Sequence, residues 1–326
     1  MNVFDGHIIS CDWLTFRASC SGPRITGDLF IRINPETGVE HRTVAHKRIE
    51  GSYESGVMVR CDGGRVWFTG NPSRFGRGDN LLGYDLASAY KRSVAILGLL
   101  GISDVDDPVF TRVDLNANFV LGSQQAASDY LGGLSVRKCQ RTRANSYGRG
   151  ETVTFGEGSK VLYQKLYNKA LEMLAHGMSE LGRQVMNLGI VRYECEYKSM
   201  WLRDHADRKG VFDLAKILYV DFAEKAKEFL RPTESSESIL KLPKSSQAFY
   251  WMWRAGQDCR EFYSQAQWYR HRKAIVEALS IDVSYQFSVV KEAHVKVVEP
   301  RPFDPSMVDG YSLPPAHLVS LKGNKL

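Results

Sequence analysis

Three short segments carry polar side chains where a buried strand would not. In Thr111-Arg112-Val113-Asp114-Leu115-Asn116, alternation puts Val113, Leu115 and Ala117 on one face and Arg112, Asp114 and Asn116 on the other. In the run from Lys160 to Lys169, Tyr163, Lys165, Tyr167 and Lys169 share a face. In the run from Arg192 to Lys198, Arg192, Glu194, Glu196 and Lys198 do the same. Neighbouring strands would merge these faces into one surface of two or three carboxylates, one or two tyrosines and several cations. Carboxylates hold a hard divalent cation such as Mg²⁺ or Mn²⁺, which acts as a Lewis acid on a phosphodiester. A tyrosine hydroxyl can attack phosphorus and form a covalent intermediate. Free phenol titrates near pH ~10, so it needs flanking lysines or a metal. The same residues would also make a solvated face laced with cross-strand ion pairs. Tyr163 and Tyr167 would equally suit half-buried sheet positions.

The surrounding elements must bring those strands together. Residues 7–69 read as short β-branched and aromatic strands, punctuated by SGP, NPETG and DGG turns. CDGGRV reads as a tight hairpin. A 3.6 period through Leu81, Leu82, Leu86, Tyr90, Val94 and Leu97 predicts a helix over 79–101 with Asp79 as its cap. Pro108 then opens a strand, and a short helix over 123–132 starts at Ser123. Strands TVTFG and KVLYQKLY, a helix over about 170–187, the strand IVRYECEYKS and helices over 200–229 follow. The order does not alternate strictly between strand and helix. The fold class expected is therefore α+β, with a largely antiparallel central sheet and flanking helices.

The domain reading is a catalytic unit over 1–230, a linker over 231–246 (RPTESSESILKLPKSS), a small helical module over 247–285 and an extended, proline-containing tail over 286–326. In 247–285, a helix ending at Ala255-Gly256, a short second helix, Ser264 as N-cap and a helix over 265–279 have the cadence of a helix-turn-helix.

The chain of 326 residues is 43% hydrophobic and carries a formal charge of +6. That composition supports a folded core and permits a polyanionic partner without requiring one. Six cysteines without metal-ligand spacing read as reduced, buried thiols. No leader is visible at the start, and SVAILGLLGI is too short to span a bilayer. A soluble protein of the bacterial cytoplasm, with no membrane partner, is expected.

The segments GNPSRFGRGDNLLG, TRVDLNANF, KLYNKALE and VRYECEYKS resemble the gene-two type replication initiators of filamentous phages. They are more distantly similar to the initiators of small rolling-circle plasmids. The resemblance spans most of the chain. It implies a site-specific endonuclease that nicks one strand of a double-stranded replicative-form origin. Such an enzyme stays on the 5′ phosphate through tyrosine, leaves a 3′ hydroxyl and rejoins the displaced single strand. By position in KLYNK, Tyr167 becomes the nucleophile, with Lys165 and Lys169 as flanking cations. Asp114 and Glu194 become metal ligands, with Glu172 or Glu196 as a third. Tyr163, in a KxxYxK reading, stays open as an alternative nucleophile. The eight histidines include no His-apolar-His pair, so the metal site would be carboxylate-based.

On such an enzyme the loop holding Arg137, Lys138, Arg141, Arg143 and Arg149 would contact phosphates and offer Tyr147 for stacking. The helix over 265–279 would present Gln267, Trp268, Tyr269, Arg270, Arg272 and Lys273 to a groove. Host helicase, single-strand binding protein and polymerase would be partners, and several copies could assemble on the DNA. Two rival readings remain. Asp114 with Glu196-x-Lys198 imitates the D…ExK pattern of nucleases that activate water. A regulator that binds DNA without cutting it would need only the basic segments.

Overall fold

The computed structural model describes residues 2–4, 6–33, 35–37, 40–139, 142–205, 210–230, 239–284 and 300–317. The alternating segments fold as strands β1 (Asn2–Phe4), β2 (His7–Ser21), β3 (Leu29–Ile33), β4 (Glu40–Val44), β5 (Lys47–Glu50), β6 (Gly56–Cys61), β7 (Arg65–Gly70) and β8 (Ser103–Val120). Farther on come β9 (Lys138–Cys139), β10 (Thr142–Arg143), β11 (Asn145–Tyr147), β12 (Thr152–Phe155), β13 (Leu162–Asn168), β14 (Ile190–Lys198) and β15 (Arg301–Pro302). Eleven of them form one sheet with the path β11-β12-β13-β14-β8-β2-β7-β6-β5, with β1 added to β2 and β15 to β8. Every pairing along it is antiparallel. The expected α+β class with a largely antiparallel sheet is what the chain adopts.

Alternation decides which face is covered. Leu14, Phe16, Val59, Phe68, Val113, Leu115, Tyr193 and Cys195 point into the main core. Helices α1 (Leu86–Gly98), α2 (Gln124–Leu134), α5 (Ser199–His205) and α6 (Val211–Leu230) cover that side. The opposite face carries the polar residues. At one end of the sheet, α3 (Lys169–Ala175) and α4 (Ser179–Met186) bury Ala170, Met173 and Val185 against Leu81, Leu82, Val120 and Ile190.

Two helices start or break differently from their periodicity. The helix expected from residue 79 begins at Leu86, capped by the Asp85 side chain through the Ser88 amide. Residues 80–84 cannot join it because their carbonyls are already used. Tyr84 O accepts from the Cys11 amide at 2.7 Å, and Asn80 O from Arg192 at 2.7 Å. Asp79 instead pairs with Arg77 at 3.0 Å. The single helix expected over 170–187 is two helices, because Gly177 sits at φ 77°, the left-handed region that ends a helix. Ser123 does cap α2, through the Ala126 amide.

Helices Lys244–Arg254 and Gln265–Leu279 flank a single 3-10 turn, Cys259–Glu261. They have a separate core of Phe249, Tyr250, Trp253, Trp268, Ile275 and Leu279. Ile239 and Leu242, within the stretch read as linker, and Val136, after α2, pack into that core. Residues 231–238 lie outside the described residues. Gly256 at φ 82° ends the first helix, and Ser264 opens the second with a reciprocal capping box to Gln267. Of the tail expected to be extended, residues 286–299 and 318–326 lie outside the described residues, and 300–317 hold a two-residue strand, a 3-10 turn over Pro305–Met307 and otherwise irregular chain that packs on the sheet domain. Tyr84 donates to Pro314 O at 2.7 Å, and Arg92 to Ala316 O at 2.9 Å.

Candidate active site

Register brings the three polar strands side by side. β13, β14 and β8 align Tyr163 with Glu196 and Asp114, Lys165 with Glu194 and Asn116, and Tyr167 with Arg192 and Asn118. The convergence expected of the three faces therefore exists. Lys169 is not on the strand: Asn168 ends β13 and caps α3, so Lys169 and Glu172 enter from the first turn of a helix.

Tyr167 is the centre of one cluster. It is 5% exposed and donates to Glu194 Oε1 at 2.6 Å. Lys165 pairs with Glu194 Oε2 at 3.2 Å and lies 4.2 Å from the Tyr167 ring centroid. Lys169 lies 5.7 Å from that ring, fully buried, and pairs with Glu172 at 2.7 Å and Asn80 Oδ1 at 2.8 Å. Burial, then the Glu194 charge, push the Tyr167 phenol well above its ordinary value. Burial would raise Glu194, but Lys165 and Arg192 outweigh it and hold the carboxylate below the usual range. Burial, reinforced by Arg192, lowers Lys169 to about 8.

Arg192 organises the floor. It is fully buried and donates to Asn118 Oδ1 at 2.8 Å, Asp12 Oδ2 at 2.9 Å and the carbonyls of Asn80 and Leu81. Burial opposes its charge, yet Asp12, Tyr167, Glu194 and Glu172 together raise its pKa above the ordinary value. Those two carbonyls are presented because buried Arg77 folds the preceding loop, donating to Ser73 O at 3.0 Å and Leu82 O at 2.9 Å. The GNPSRFGRGDNLLG segment thus shapes the socket for Arg192.

Asp12 and Asn80 were not among the sequence candidates. Asp12 sits where β2 slips register against β8 between Cys11 and Trp13, a bulge that re-aims one side chain. The sequence does carry a signal, since the apolar phase switches from Ile9 and Cys11 to Leu14, Phe16 and Ala18. Burial raises the Asp12 carboxyl, with Arg192 opposing. Two buried atoms beside Glu194 lack a hydrogen-bond partner among the described residues, Asp12 Oδ1 and Asn116 Nδ2.

A second cluster lies one step along the sheet. Arg112 grips Asp114 at 2.6 Å and Glu196 at 3.0 Å, and Lys198 reaches Glu196 at 3.5 Å. Burial pushes Asp114 up to about 7 against the pull of Arg112. Tyr163 is half-buried here, 5.8 Å from Lys198 to its ring, with its phenol raised by burial. Among the described residues no three His, Cys, Asp or Glu side chains stand together at a point that would hold a metal ion.

The basic segments are placed unequally. Arg137 is buried and donates to Glu228 O at 2.9 Å, so the fold uses it. Lys138 is half-buried, and exposed Arg143 pairs with Asp282 at 3.1 Å. Arg141 and the side chain of Arg149 lie outside the described residues. On the last helix, Trp268 is core, Gln267 serves the cap and Arg272 holds buried Asp282 at 2.7 Å. Tyr269, Arg270 and Lys273 stay exposed. No helix among the described residues is long and apolar enough to cross a membrane.

The chain belongs to the family of gene-two replication-associated proteins, whose N-terminal model matches residues 11–226. It is 23% identical to the gene-two replication-associated protein of Enterobacteria phage I2-2, over 91% of this chain and 96% of that protein. It is 26% identical to the corresponding protein of Escherichia phage If1, over 52% of this chain and 66% of that one. The resemblance read from the four sequence segments is borne out.

Proposed function

We propose that the chain nicks one strand of a double-stranded phage origin and later rejoins it, through a 5′-phosphotyrosine on Tyr167. The carrying observation is the 2.6 Å hydrogen bond from the Tyr167 hydroxyl to Glu194, with two lysines about the ring. Glu194 takes the phenolic proton as the tyrosine oxygen bonds to phosphorus. The phosphorus–O3′ bond breaks and the 3′ oxygen leaves as a hydroxyl, taking a proton from solvent while Glu194 releases to solvent the one it accepted. Lys165 and Lys169 hold the phosphate oxygens as charge develops. Rejoining runs the same steps backward.

Mg²⁺ or Mn²⁺ belongs to this reading. The donors are hard oxygens, and Asp12 Oδ1 is buried without a partner among the described residues. Asp12 and Glu194 would be the protein's share of the ligands, with phosphate and water oxygens completing the shell, since no three carboxylates stand together among the described residues and Glu172 stays paired with Lys169. When bound, it would supply Lewis-acid stabilisation of the phosphodiester. Asp114 and Glu196 suit it less, since Arg112 already neutralises both.

Origin selection falls to Tyr269, Arg270 and Lys273 on the last helix, in a helix-turn-helix role, with Arg143 nearby. The setting is the bacterial cytoplasm, with the host helicase, single-strand binding protein and polymerase completing the round.

The test is cleavage of supercoiled origin DNA with Mg²⁺, run on a denaturing gel that reveals protein-linked DNA. Wild type should give a 5′-linked adduct, Tyr167→Phe none, and Tyr163→Phe a normal amount. Nicking without an adduct would favour water as nucleophile, and binding without nicking a regulator.

A further inference from the structure

The polar sheet face does not end at the catalytic clusters. It continues across β2, β7, β6 and β5, where no sequence candidate lies. Thr15 pairs in register with Thr69, Arg17 with Trp67, Thr69 with Met58 and Trp67 with Arg60. The opposite-phase residues Val57, Val59, Val66 and Phe68 are buried in the core. Trp13, Thr15, Met58, Arg60, Trp67 and Thr69 are half-buried instead, and Arg17, Arg48 and Arg65 are exposed.

Two tryptophans on this face are each set against an arginine. The Arg60 guanidinium lies 3.9 Å from the Trp67 ring centroid, and that of Arg112 5.2 Å from Trp13. Trp13 is held in place by donating its Nε1 to Thr69 at 3.2 Å and Thr15 at 3.3 Å. The acids Glu50 and Asp114 are tied to Arg48 and Arg112. The balance of the face is cationic. Trp13 shares its row with Asp114, Glu196 and Tyr163, so the surface runs without a break into the catalytic clusters. Strand spacing and rise put Trp67 about 14 Å beyond Trp13.

We infer that this face is a track for single-stranded DNA running from the nick, with Trp13 and Trp67 as stacking plates and Arg17, Arg60 and Arg112 on the phosphates. The inference deepens the nicking reading and rests on it. Aromatic faces alternating with arginines suit unpaired bases, since stacking tolerates any sequence. A duplex hides its base faces inside the stack, and would use the cations alone.

The test uses full-length protein and two fluorescein-labelled probes of about 20 nucleotides, oligo(dT) and a duplex, read by anisotropy. Trp67→Ala should weaken oligo(dT) binding about tenfold and leave duplex binding unchanged. Trp67→Phe should keep most of the affinity. Arg60→Gln should lower the salt slope for oligo(dT) by about 0.7. Photocrosslinking of an iododeoxyuridine-containing strand, mapped by mass spectrometry, should mark peptides holding Trp13 and Trp67, and needs no folded variant. Unchanged oligo(dT) binding by Trp67→Ala and Arg60→Gln, or crosslinks elsewhere, would overturn the track. Equal loss on both probes would make the face a duplex contact and overturn it too. Wild type that binds origin DNA without nicking it would sink the nicking reading, and an adduct persisting in Tyr167→Phe would sink Tyr167 as nucleophile, whereas an inert Trp67→Ala would sink only the track.

Discussion

The two ends of one sheet face solve opposite problems. Around Tyr167 the cations are inside the protein: Arg192 and Lys169 are fully buried, and Arg192 alone serves four acceptors. Around Trp67 the cations are half-buried or exposed: Arg60 lies over the Trp67 ring, Arg48 pairs with Glu50, and Arg17 and Arg65 are exposed. A buried charge is costly unless every donor is satisfied, and satisfying it fixes geometry. That suits a phenol that must meet one phosphorus atom. A half-exposed aromatic-cation pair is tolerant of what lies on it, which suits a strand of changing sequence.

Substitutions at the two ends should therefore behave differently. The largest effect is expected from Arg192→Met, which strands Asp12 and two carbonyls. Urea unfolding should show a loss of roughly 3–5 kcal/mol, against within ~0.5 kcal/mol for Arg60→Gln. Similar losses for both would erase the contrast. Next comes Asp114, whose carboxyl is raised from 3.8 to about 7 in the folded state. The folded chain holds this proton more tightly, so its stabilisation is complete below the lower value and fades as pH rises through the upper one. Wild-type stability should fall by on the order of 4 kcal/mol across that window, and Asp114→Asn should flatten the curve. Lys169 gives a smaller, kinetic effect. Lowered to about 8, it should lose its proton and slow single-turnover nicking as pH rises through that value. Lys169→Arg should move the falling limb upward. Smallest is Arg270→Ala or Lys273→Ala, each reducing the salt slope of origin-duplex binding by about 1.

Much of this was legible beforehand. Strict alternation in β8, β13 and β14 separated Val113, Leu115, Tyr193 and Cys195 from Arg112, Asp114, Arg192 and Glu194, because period two leaves no freedom in which side faces the core. Caps at Ser123 and Ser264 were readable for the same local reason. What escaped depended on partners distant in sequence. Arg137 looked like a free loop cation until α6 brought it the Glu228 carbonyl. The start of α1 was set by Cys11 and Arg192 consuming carbonyls ahead of it. Asp12 needed the bulge, visible only as a phase switch in an apolar strand. Trp67 needed the sheet order, which places β7 beyond β2 on the catalytic face.

On the proposed mechanism Tyr167, held by Glu194, becomes the covalent link to DNA. The most direct measurement is to trap the protein on a nicked origin, digest both partners and locate the nucleotide-modified peptide by mass spectrometry. A 5′-phosphotyrosine is expected at Tyr167, absent in Tyr167→Phe and unaffected by Tyr163→Phe. A modification on Tyr163, or a nicked product with no modified peptide, would contradict it.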